Sequence, residues 1–135
     1  MGLFSGTPPD NLGVRDGRLA PPKPTPNNVH SQIDKATDPG HYIEPLRYQG
    51  DAGRAWAKLV GIVQSTERTK TVKSESGYLY AEFSTRLMGY VDDVEFLLDE
   101  KAGAIHVRSA SRLGRSDFGV NRERVESIRA RLAQE

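Results

Sequence analysis

Apolar side chains change their spacing twice along the second half of the chain, and each change predicts an element. Between residues 51 and 65, Ala55, Trp56, Leu59, Val60 and Val63 recur every three or four positions, the interval that lines one face of an α-helix. Asp51 precedes them as a candidate N-cap. From Thr69 the period drops to two, and Gly77, Gly89 and Gly103 divide the alternating run into strands near 69–74, 78–87, 90–99 and 104–112. The helical period then returns, with Val125, Ile128 and Leu132 on one face and Asn121 as the expected cap.

This order predicts an α+β fold: a four-stranded antiparallel meander sheet with an N-terminal and a C-terminal helix packed on one face. Before residue 50 the pattern is lost. Pro8, Pro9, Pro21, Pro22, Pro24 and Pro26 crowd a stretch whose few apolar residues show no period. Residues 1–49 therefore read as an extended, loop-rich, Pro/Gly-rich arm, and 50–135 as the domain, with Leu12, Val14, Leu19, Ile43 and Leu46 as docking points.

Short turns at Met88–Gly89 and around Lys101–Ala102 predict which residues stand side by side. One face then groups Leu79 with Leu98 and Ile105, Ala81 with Phe96 and Val107, and Phe83 with Val94, which is the expected core. The same face ends in Thr85, Asp92, Ser109 and Ser111. A buried polar group without a partner costs about 1 to 3 kcal/mol, so a polar segment must meet this end, and 114–122 is nearest. The opposite face carries Tyr80, Leu97 and His106, then Glu82, Glu95 and Arg108, then Ser84, Asp93 and Ala110, then Arg86, Val91 and Arg112. Directly opposed carboxylates lie roughly 5 Å apart at Cβ. Glu82 and Glu95 would repel unless Arg108 bridges them or one holds a proton, so the row is either a solvated charge ladder or an acid/base pair.

The stretch "IHVRSASRLGRSDFGVNRERV" concentrates polar chemistry where the last strand gives way to the last helix. Asp92, Arg108, Ser109, Ser111, Arg112, Asp117, Asn121 and Arg122 are the candidate ligand-binding residues. A helix N-terminus offers free N–H groups and partial positive charge to a carboxylate or an anionic ligand. Asp92 on that terminus would lock helix to sheet; a ligand there would make the same place a site.

Composition narrows the chemistry. With 19 basic and 18 acidic residues the net charge is +1, which argues against a general nucleic-acid or membrane-surface binder. The absence of cysteine removes disulfides, thiolate metal sites and thiol nucleophiles. His30, His41 and His106 are far apart in sequence, so no metal and no cofactor is expected. No apolar run is long enough to cross a bilayer. The start MGLFSG lacks the basic and apolar regions of a secretory signal and has Gly6 where myristoylation calls for Ser or Thr, which predicts a cytoplasmic protein. Export or envelope association is the expectation if residues are missing ahead of Met1.

"YVDDVEFLLD" followed by "IHVRSASRLGRSDFGVNRERVESIR" closely resembles domain-of-unknown-function family 1499, found in bacteria and plastid-bearing eukaryotes. The resemblance reaches back through "GYLYAEFSTRLMGY" to "NLGVRDGRLAPPKPTPNNVHSQ". It implies no defined activity, and an exported or envelope setting for many members. Relatives commonly read L-A-P-C-P-x-S-P-N-C-V-S-S in the arm; here Pro22 and Asn28 stand at the two cysteine places, so no thiol role can apply.

These readings predict a small non-enzymatic module that binds a protein partner or a small polar or anionic ligand. The alternatives are an enzyme using Glu82 and Glu95 with Arg108, and an envelope-associated structural protein. The open sheet face is the expected surface for a homodimer.

Overall fold

The computed structural model describes residues 5–86 and 89–134. Two short strands open the chain, β1 (Val14–Arg15) and β2 (Arg18–Leu19). They are joined through Asp16 and Gly17, both at positive φ (54° and 73°), as a two-residue antiparallel turn requires. Next come β3 (Asn28–His30) and β4 (Leu46–Arg47), then helix α1 (Ala52–Gln64). Asp51 does cap α1: its Oδ2 accepts from the Arg54 N–H at 2.8 Å. Strands β5 (Thr69–Glu75), β6 (Tyr78–Ser84), β7 (Val91–Asp99) and β8 (Ala104–Ser111) follow, and helix α2 (Val120–Ala133) closes the chain.

The fold is α+β, but the main sheet has six strands rather than the expected four. Its order is β3-β8-β7-β6-β5, with β4 also paired to β8. The two additional strands come from residues before Gly50, where sequence pattern alone predicts only an arm. Asn28 pairs with Ala110, Val29 with Ser109 and His30 with Arg108, and Leu46 pairs with Ile105. Strands of two or three residues carry no readable period, and their partners lie far away in sequence.

The β7–β8 register is the expected one, with Leu98 across from Ile105 and Glu95 across from Arg108. The β6–β7 register is shifted by two. Leu79 stands opposite Phe96, Tyr80 opposite Glu95 and Glu82 opposite Asp93. The expected turn at Met88–Gly89 includes Met88, which lies outside the described residues. What is described shows a longer connection, in which the Thr85 N–H donates to Tyr90 O and Thr85 Oγ1 accepts from the Tyr90 N–H, each at 2.8 Å. A slip of two keeps every side chain on its predicted face but changes its neighbour. Glu82 and Glu95 are consequently not a cross-strand pair.

On the helix face, Leu59, Ile62 and Val63 of α1 and Val125, Ile128 and Leu132 of α2 pack on Leu79, Ala81, Val94, Phe96, Ile105 and Val107. The opposite face is not open. Leu12 and Leu19 of the arm pack with Tyr78, Tyr80 and Leu97, and Asp93, Glu95 and Arg108 are buried there as well.

Candidate functional site

Alternation along the strands sends the eight predicted ligand-binding residues to different places. Asp92, Ser109, Ser111, Asp117 and Asn121 meet on the helix side, Arg108 and Arg112 lie on the arm side, and Arg122 reaches the surface, where it donates to Gly40 O at 3.1 Å.

Asn121 is the centre of the helix-side group and is fully buried. Its Oδ1 accepts from Ser109 Oγ (2.6 Å) and Arg124 Nη1 (2.9 Å), and its Nδ2 donates to Asn27 O, Ser111 Oγ and Asp117 Oδ2 at 2.8–3.1 Å. It is therefore not the helix cap. Gly119, at φ 82°, occupies that position, and Asp117 supplies the carboxylate, accepting from the Gly119 and Asn121 N–H groups. Burial pushes the Asp117 carboxyl up, but those N–H donors and the Asn121 amide outweigh it and hold it below the ordinary carboxylate range. Asp92 misses the helix terminus and instead pairs with Arg124 at 2.7 Å, whose guanidinium also lies over the Phe83 ring at 4.9 Å.

The arm-side group is a second buried polar network. Arg112 grips Asp93 through Nε (2.9 Å) and Nη2 (2.8 Å) and reaches Glu82 at 2.6 Å. The Tyr80 hydroxyl donates to Asp93, and the Tyr78 hydroxyl donates to Glu95 Oε2 at 2.6 Å, where the Gly13 N–H also arrives at 2.8 Å. Burial, then the adjacent carboxylate, pushes both tyrosines far above the ordinary phenol range, so they stay protonated donors. Hydrogen bonds to Asp93 hold Arg112 charged at any accessible pH.

Arg108 differs from all of these. It is 2% exposed, yet neither Nε nor Nη1 makes a hydrogen bond, and its nearest counter-charge is Glu95 Oε1 at 3.5 Å. Charge-assisted N–H···O bonds run about 2.7–2.9 Å, so Glu95 neutralises the guanidinium without filling its donors. Glu95 Oε1 itself accepts no hydrogen bond. Beside Arg108 is a cavity of about 220 Å³ between sheet and arm, bordered also by Lys23, Asp93, Arg112, Asp10 and Asn11. The Lys23 ammonium donates to Ser111 O. Burial, followed by repulsion from Arg108, lowers its pKa. Asn11 Oδ1 is a further buried atom without a hydrogen bond.

A model of the family described as Protein of unknown function (DUF1499) matches residues 18–132. The chain belongs to this family. No curated protein and no solved structure matches it. In this DUF1499 protein the matched span contains the side chains of both polar networks, whereas Asp10 and Asn11, on the wall of the arm-side cavity, and Gly13, whose N–H binds Glu95, precede it. Among the described residues, no group of three or more His, Asp or Glu side chains is placed to hold a metal ion, and no helix is long and apolar enough to cross a membrane.

Sequence reasoning missed Arg124, Lys23 and Asn11. Arg124 reads as part of a solvated helix face; only its phase, three residues after Asn121 and one before Val125, puts it on the inward side. Lys23 sits among prolines with no periodic signal, and Asn11 precedes the first strand.

Proposed function

We propose that this DUF1499 protein is a non-enzymatic binding module that takes a small anionic ligand in the cavity between arm and sheet, with Arg108 as the recognising group. One observation carries the reading: a buried guanidinium whose Nε and Nη1 make no hydrogen bond borders a half-open cavity. Natural proteins leave few buried donors unmet, and convergent polar groups around a cavity are the usual mark of a small-molecule site. The helix-side network has the opposite character. Asn121 has every polar atom of its side chain engaged, which supports a lock that fixes α2 on the sheet.

Glu82 and Glu95 fit this reading as counter-charges. Glu82 is held by Arg112, while Glu95 is held by Tyr78 and the arm backbone, and the two no longer share a cross-strand row.

Native mass spectrometry of the freshly purified full chain is the test. The expected result is a small added mass that is lost on denaturation and absent from Arg108→Gln. A bare mass, together with no rise in Tm on adding acetate or phosphate at constant ionic strength, would overturn the proposal.

A protein partner is the second reading, favoured by Phe118. This side chain is 93% exposed at φ 53°, an uncommon conformation for a bulky residue, beside exposed Val120 and near Leu113. A photo-crosslinker at position 118 should capture one discrete protein that the same group at Lys58 does not; equal capture at both would remove this reading.

A further inference from the structure

We infer that the occupant of the arm-side cavity is a small monocarboxylate with a hydroxyl on the adjacent carbon, a 2-hydroxy acid. The inference rests on the anion-site reading above and adds the ligand's chemistry.

Size comes first. About 220 Å³ is below the roughly 300 Å³ at which pockets for drug-sized ligands begin, and at about 30 Å³ per water-sized group it holds about seven of them, which fits a small ligand. Charge comes next. Arg108 is the cation whose donors are left unfilled, because Glu95 stands too far to fill them, while Arg112 is spent on Asp93 and Glu82. A guanidinium presents a planar fork that matches a carboxylate. An anion placed there also offsets the repulsion between Arg108 and Lys23. Asp93 is already held by Arg112, but the wall also carries the Asp10 carboxylate, so a second negative charge, as on phosphate, would face like charge there.

The second polar contact is Asn11, whose buried Oδ1 makes no hydrogen bond and which borders the same cavity. A carboxamide offers an acceptor at one end and donors at the other, and a hydroxyl both donates and accepts, so it satisfies either end. An ammonium at that position would accept nothing and would add a cation to a space already bordered by Arg108 and Lys23. The hydroxy acid therefore fits better than the amino acid.

Isothermal titration of the full chain with glycolate, acetate, glycine and inorganic phosphate, at pH 7 and constant ionic strength, tests this. Glycolate should bind tightest, and acetate about three- to tenfold more weakly, the value of one net hydrogen bond. Phosphate and glycine should fall below acetate. Asn11→Ala should bring the glycolate-to-acetate ratio to about one, the mark of a lost hydroxyl contact. Asn11 lies in the arm outside the apolar core, so this variant can be read even where Arg108→Gln unfolds. Equal affinity for glycolate and acetate, or phosphate or glycine binding tightest, would overturn the hydroxy-acid inference and leave the anion site standing. Binding of none of the four would overturn both.

Discussion

Asn121 and Arg108 are both buried polar side chains against the sheet, on opposite faces, and their surroundings could hardly differ more. Asn121 exchanges hydrogen bonds with Asn27, Ser109, Ser111, Asp117 and Arg124. Arg108, which carries more donors than any other side chain type, has one ion pair at 3.5 Å and a cavity beside it. A buried polar group met on every side stabilises one arrangement of the backbone. One that is left partly unmet next to a cavity costs stability and gains it back when a complementary ligand arrives. On the function proposed above, the two faces divide the work, with helix docking on one and recognition on the other.

The largest effect should come from breaking the helix side. Asn121→Ala removes five hydrogen bonds at a fully buried position, the acceptor of the Ser109 hydroxyl among them, and should cost roughly 3 to 5 kcal/mol in urea denaturation. A loss under about 1 kcal/mol would mean that water replaces the network and that the contrast between the faces is false.

The next effect concerns how the arm is fastened. His30 pairs with Arg108 across β3 and β8. Its Nε2 donates to Ala20 O at 2.8 Å and its Nδ1 accepts from the Gln32 N–H at 3.0 Å, an arrangement that requires the neutral ring. Burial lowers its pKa to about 4. In the unfolded chain an imidazole titrates near 6.5, so as pH falls the unfolded state binds the proton first. Full stability is held above about 6.5 and is lost between about 6.5 and 4, a total of roughly 3 kcal/mol. His30→Gln should flatten this part of the pH–stability curve. An unchanged slope in the variant would assign the acid sensitivity elsewhere.

The smallest effect should come from Arg108, the recognising group in the proposed function. Replacing Arg108 and Glu95 together, as Arg108→Met with Glu95→Gln, removes a loosely matched buried pair while Gln still accepts from Tyr78 and Gly13. Such exchanges are often neutral or stabilising, so apo stability should stay within about 1 kcal/mol while anion binding disappears. A loss as large as that of Asn121→Ala would make Arg108 structural.

How much of this is legible in the sequence follows from how local each feature is. The β7–β8 register is set by a connection of a few residues, and it is legible: Glu95 faces Arg108 as predicted. The β6–β7 register depends on a longer connection between Thr85 and Tyr90, so its neighbours slip by two while faces are kept. Both helices and the Asp51 cap follow from local period and capping chemistry. The polar end of the helix face is legible from Ser109, Ser111 and Asp92 falling in line with the core, but not the identity of the partner. Asp92 selects Arg124, and Asp117 takes the capping role expected of Asn121. Strand β3 and the arm's hold on Glu95 are set by pairings of residues some eighty positions apart, for which no short window carries a signal.

The most direct test of the division between the faces is to follow the arginine Nε–H resonances of the ¹⁵N-labelled full chain while glycolate is added. Arg108 should shift and saturate while Arg124 stays in place. A shift at Arg124 with none at Arg108, or movement at neither, would contradict the assignment of recognition to the arm side.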